Sequence, residues 1–142
     1  MRRAVLYSSL IVGAILAAGA CNSDESTKET DEHDPVRVVF IVNGDTLTGD
    51  SLFIPVGQTV TVRGIFFNAA DENLDDVEGE HWSKLSFDPN TLATATVDVA
   101  HHFSHSVVVN GAANAKGIVD VGFGHDELAD EHTLHVPVRI TP

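Results

Sequence analysis

A chain of 142 residues with 21 aspartates and glutamates, eight lysines and arginines and a formal net charge of −13 has no basic face on which to hold phosphates. Nucleic acid is therefore not expected as a partner, and cations are the natural counterpart of so acidic a surface. A single cysteine excludes any intrachain disulfide.

The first element is an export signal, residues 1–20: basic at Arg2 and Arg3, apolar from Ala4 to Ala20, small just before Cys21. Ala18-Gly19-Ala20-Cys21 resembles the bacterial lipobox, which implies lipidation of Cys21 and a membrane held through that lipid. Lipidation also accounts for a lone thiol in an oxidising compartment. Ala18-x-Ala20 suits ordinary signal peptidase as well, so plain secretion stands as the alternative. Residues 21–35, the lipidated cysteine and the run NSDESTKETDEHDP, carry no apolar side chain able to seed a core and read as a disordered acidic tether. Asn22 stands where aspartate would, under the enterobacterial sorting rule, retain a lipoprotein at the inner membrane. The expected destination is thus the outer membrane, facing the periplasm or the cell surface.

Residues 36–142 are one domain's worth of chain. Apolar residues recur there with period two, as in Val36, Val38, Phe40, Val42 and in Leu134, Val136, Val138, Ile140, the signature of half-buried strands. Turn chemistry at Asn43-Gly44, Asp88-Pro89-Asn90 and Asn110-Gly111 punctuates them. The pattern predicts strands over 36–43, 58–68, 82–87, 92–99, 105–110, 116–123 and 133–141, with a short extra strand or hairpin arm around 46–54. An all-β fold of seven to eight strands at this length suits a two-sheet antiparallel sandwich.

The stretches PVGQTVTVRGIFFN, HWSKLSFDPNTLATATVD and NAKGIVDVGF, within residues 55–125, resemble the bacterial immunoglobulin-like domains of group 2. That resemblance implies an Ig-like sandwich and a structural or adhesive role, and it brings no catalytic residue.

In such a sandwich the BC, DE and FG connections share one pole. The expected BC loop, 69–81, holds six acids and His81; the expected DE loop, 100–105, holds His101, His102 and His105; the expected FG loop, 124–132, holds four acids, His125 and His132. His135 follows on the next strand, so all histidines but His33 are expected near one end. Imidazole is the common nitrogen ligand for zinc, copper and nickel, and carboxylates complete or orient the shell. The expected ligands are His102, His105, His125 and His132, with His81, His101 and His135 as further members and Asp126, Glu131 and Glu80 as carboxylates. An extended 101–105 would hold His101 and His105 too far apart to chelate together, so this reading requires a turn there. Asp71-x-Asn73-x-Asp75 begins like a calcium loop, but Asp76 and Trp82 fill the positions of its glycine and closing glutamate, leaving calcium only a looser oxygen site.

Catalysis is not expected. Ser104 and Ser106 adjoin histidines, yet neighbours along a strand point to opposite faces, and no nucleophile elbow is present. The sequence thus reads as a non-enzymatic, lipid-anchored envelope protein that captures a divalent metal, zinc first, or hands it to a transporter or receptor. The alternative is a structural or adhesive surface module without metal.

Overall fold

A computed structural model describes residues 33–142; the signal, Cys21 and the tether as far as residue 32 lie outside the described residues. Nine strands follow in order: β1 Arg37–Val42, β2 Asp45–Thr46, β3 Leu52–Pro55, β4 Thr59–Phe67, β5 Trp82–Asp88, β6 Ala93–Asp98, β7 His101–Val109, β8 Lys116–Gly124 and β9 His132–Thr141. They form two sheets, ordered β2-β1-β4-β7-β6 and β3-β9-β8-β5. Without the short β2 and β3, these are the ABED and GFC sheets of an immunoglobulin-type sandwich.

Alternation builds this arrangement. In β4, Val60, Val62 and Phe66 point inward while Thr59 and Thr61 face solvent, and β8 does the same with Val119, Val121 and Phe123. Phe66 lies 4.9 Å from Phe103 and 5.1 Å from Phe123, ring centre to ring centre, so three fully buried phenylalanines tie the two sheets together. Burying each contributes about 1.5–3 kcal/mol.

The segment around 46–54, expected as a short extra strand or hairpin arm, holds two short strands: β2 pairs with β1, whereas β3 crosses to the other sheet and runs parallel to β9. One expectation is corrected. The expected DE loop is strand. β7 begins at His101, and only Val99 and Ala100 separate it from β6. The inward rhythm of β7 runs Phe103, His105, Val107, Val109, so a histidine occupies a core slot and breaks the apolar alternation without breaking the strand. The pairing of β6 with β7 passes from Val97 opposite His105 to Asp98 opposite His101, a bulge that absorbs residues 102–104.

Candidate histidine pair at the loop pole

The start of β1, the 68–81 loop, the β6–β7 turn and the 125–131 loop all lie at one end of the sandwich, as the register shows by pairing Arg37 with Phe67 and Trp82 with Gly124. Asn68 shapes the first loop: its Oδ1 accepts the N–H groups of Ala70 and Glu72, each at 3.0 Å, and its Nδ2 donates to Glu72 at 2.9 Å. Leu74 and Val77 are buried beneath it. The Val77 carbonyl then accepts the backbone N–H groups of Glu80 and His81, both at 2.9 Å, turning His81 inward.

His81 is 1 % exposed. Its ring stacks on Phe123 at 4.9 Å and lies beside the ring of His125 at 4.0 Å between centroids, with the His33 ring edge-on at 5.6 Å. Nδ1 of His81 faces the Val77 carbonyl at 3.3 Å. Nδ1 of His125 lies 2.7 Å from Oε2 of Glu131. With Nδ1 donating in both rings, each neutral imidazole keeps its lone pair on Nε2. A carbonyl or carboxylate behind a histidine in this way is the arrangement that orients metal-bound imidazoles.

The second loop is held by its fit over β8. Ala129 is buried with φ +47°, and its N–H donates to the Asp126 carbonyl at 3.0 Å. Beneath it, a Cβ on Gly122 would stand 2.2 Å from the Ala129 carbonyl oxygen, so only glycine admits this approach. Burial lowers the pKa of His81, and the neighbouring His125 and His33 lower it further against opposing contributions from the Val77 carbonyl and Glu131. The shift favours the neutral ring, the form that ligates.

The other expected ligands have separate surroundings. His105 is buried in the core, pushed down to about 4 by desolvation. Its Nε2 lies 2.9 Å from the Ser83 hydroxyl, which itself donates to the His102 carbonyl at 2.9 Å. Since that hydroxyl has one proton, His105 carries its own on Nε2 and donates. His102 stacks on Trp82, 3.7 Å between ring centres and 11° from parallel, with Nδ1 3.2 Å from the His81 carbonyl. His132 pairs with Asp34 at 2.9 Å and His135 with Asp120 at 2.7 Å. His101 and Glu80 are exposed, and Asp126 accepts the Leu128 N–H at 2.8 Å. The turn required at 101–105 is absent because those residues are extended in β7.

Among the described residues, no three His, Cys, Asp or Glu side chains converge in a way that could hold one ion. The acids of the calcium-like stretch are engaged otherwise: Asp71 pairs with Arg37, Asp75 with Arg63 at 3.4 Å, and Asn73 caps the Asp75 N–H at 2.8 Å. His33, assigned from sequence to the tether, is the residue that reasoning left out of the cluster; its place in an acidic run gave no signal. No protein-family model matches the chain, and neither a curated protein nor a solved structure does.

Proposed function

We propose that this chain is an exported, lipid-anchored, non-enzymatic Ig-like protein of the cell envelope that binds a divalent transition metal, zinc first, through His81 and His125 and passes it to a transporter or receptor. The observation that carries the reading is the pair of adjacent imidazoles, each with Nδ1 turned to an acceptor, which leaves Nε2 as the nitrogen with which the neutral ring would ligate. Structural zinc sites close with four protein ligands. Two leave the remaining positions to water or to an acceptor's side chains, which suits capture and release rather than a structural role. The acids around the pole raise the local concentration of cations.

Calorimetry with zinc on the purified protein at neutral pH tests this. The expected result is saturable binding of about one ion per chain that weakens as protons compete for the imidazoles below roughly pH 6.5. His125→Ala, at a half-exposed position, should remove most of the heat, and His101→Ala should leave it unchanged. Absence of saturable heat, or undiminished binding in His125→Ala, overturns the proposal.

One observation favours the structural or adhesive reading instead: His105, His102, His132 and His135 each have their own partner, and among the described residues no three donors converge. A calorimetric null moves the function there.

A further inference from the structure

One flank of the sandwich is open above β3. That strand covers the outer edge of β9 only from Val138 to Thr141, and β2 with the Leu47 N–H that follows it covers β1 only from Phe40 to Val42. Between the two uncovered edges lies a cleft of about 180 Å³, floored by Val38, Phe40, Leu134 and Val136, with Val36 and Asp50 at its rim. Leu134, Val136 and Val38 are only partly buried and Val36 is 55 % exposed, so apolar surface meets solvent here. An engineered aliphatic cavity of roughly 150 Å³ takes up a benzene ring, so the cleft has room for one large apolar side chain.

The backbone beside the cleft is directed into it. The register of β8 with β9 runs unbroken from Lys116 opposite Arg139 to Phe123 opposite His132. Ile140 donates its N–H to Ala115 on the β8 side, whereas the Thr141 carbonyl accepts from Val56 on the β3 side. Because antiparallel ladders alternate, Thr133 and His135 turn both backbone groups outward onto the open edge, and Pro137 turns its carbonyl. Pro137, which has no N–H to offer β8, sits where proline is tolerated in a sheet. A free edge over an apolar cleft is the geometry of strand addition, in which main-chain hydrogen bonds supply affinity and a pocket supplies selectivity.

The surrounding charge decides between occupants. Asp50 stands at the rim, Asp120 stands beside His135, and Arg37, the one cation lining the cleft, is already paired with Asp71. A second copy of a chain at −13 would be repelled. We propose that this flank takes up an extended, basic segment of a partner protein as a strand added beside Thr133 and His135, with one aliphatic side chain seated in the cleft.

The probe is a synthetic heptapeptide of alternating lysine and valine with leucine at its centre, titrated into the purified full-length protein. Its glutamate-for-lysine counterpart is the control. His135→Pro deletes an N–H that points away from β8, so the ladder survives, and His135→Ala keeps that N–H while losing the Asp120 pair equally. The lysine peptide should bind saturably to the wild type and to His135→Ala, about tenfold more weakly to His135→Pro, where a hydrogen bond is lost and its partner left unpaired. Val136→Lys, which fills and charges the cleft, should weaken binding likewise. Circular dichroism of each variant checks that it is folded. No saturable binding to the wild type, equal binding of the glutamate peptide, equal affinity in folded His135→Ala and His135→Pro, or undiminished affinity in folded Val136→Lys overturns the proposal.

Discussion

At the scale of the residue, His105 has the largest consequence for stability. An imidazole in a core slot of β7, donating to Ser83, must stay neutral, and desolvation holds its pKa at about 4. The unfolded chain takes up the same proton near 6.5. Between those values the unfolded state binds more protons than the folded one, so stability falls as pH drops through this window and is indifferent to His105 above it. The full difference is worth about 3 kcal/mol. Unfolding by urea at a series of pH values from 7 to 4 should show the fall. His105→Leu, which leaves Ser83 its bond to the His102 carbonyl, should flatten most of it. An unchanged pH slope in that variant would place the acid sensitivity elsewhere. His81, also lowered by burial, acts with the same sign.

At the scale of the element, the glycine beneath the second loop links fold to site. Gly122→Ala must push Ala129 outward and carry His125 and Glu131 with it. The expected result is a loss of about 1–3 kcal/mol from overpacking, together with weaker zinc uptake than in the wild type. Thermal unfolding and calorimetry on one preparation would show both effects, and a destabilised variant with intact zinc affinity would separate the loop from the site. The same elements show what the sequence discloses. Strands β4, β8 and β9 were legible because their inward residues are apolar without exception in the core, as Val60, Val62 and Phe66 illustrate. The first half of β7 was not, because His101, His102, Ser104 and His105 are polar and strand formation there is decided by pairing with β4 and β6 rather than by composition. Order along the chain was enough to bring His81, His102 and His125 to one pole, but not to show that His105 lies in the core of β7 or that His135 lies on the flank of β9. Which rings touch was not legible, since it depends on the Asn68 turn and the Ala129 contact, both set by tertiary packing.

At the scale of the whole molecule, acidity is unevenly answered. Two of the domain's cations, Arg37 and Arg63, are engaged by Asp71, Asp75 and Glu78 of the 68–81 loop, tying that loop to sheet strands β1 and β4. Glu78 also accepts the Phe103 N–H at 3.0 Å, which joins the loop to the bulged part of β7. The proposed anchoring of this domain has a direct test: Cys21→Ala should shift the protein from the membrane fraction to the soluble fraction, and a variant that still sediments with membranes would remove the anchor from the reading. The contact of Asp34 with His132 gives that anchor a geometric meaning. It pins the entry of the chain to the same pole that holds His81 and His125. From Cys21 to His33 the backbone can extend no further than about 40 Å. A lipid at Cys21 would therefore put the chain's entry, and with it the pole that holds the imidazole pair, on a leash of at most that length from the bilayer, within reach of acceptors held on the same membrane. If the proposed metal transfer operates, lengthening the leash should change its rate to a membrane-held acceptor and leave the affinity for zinc unchanged.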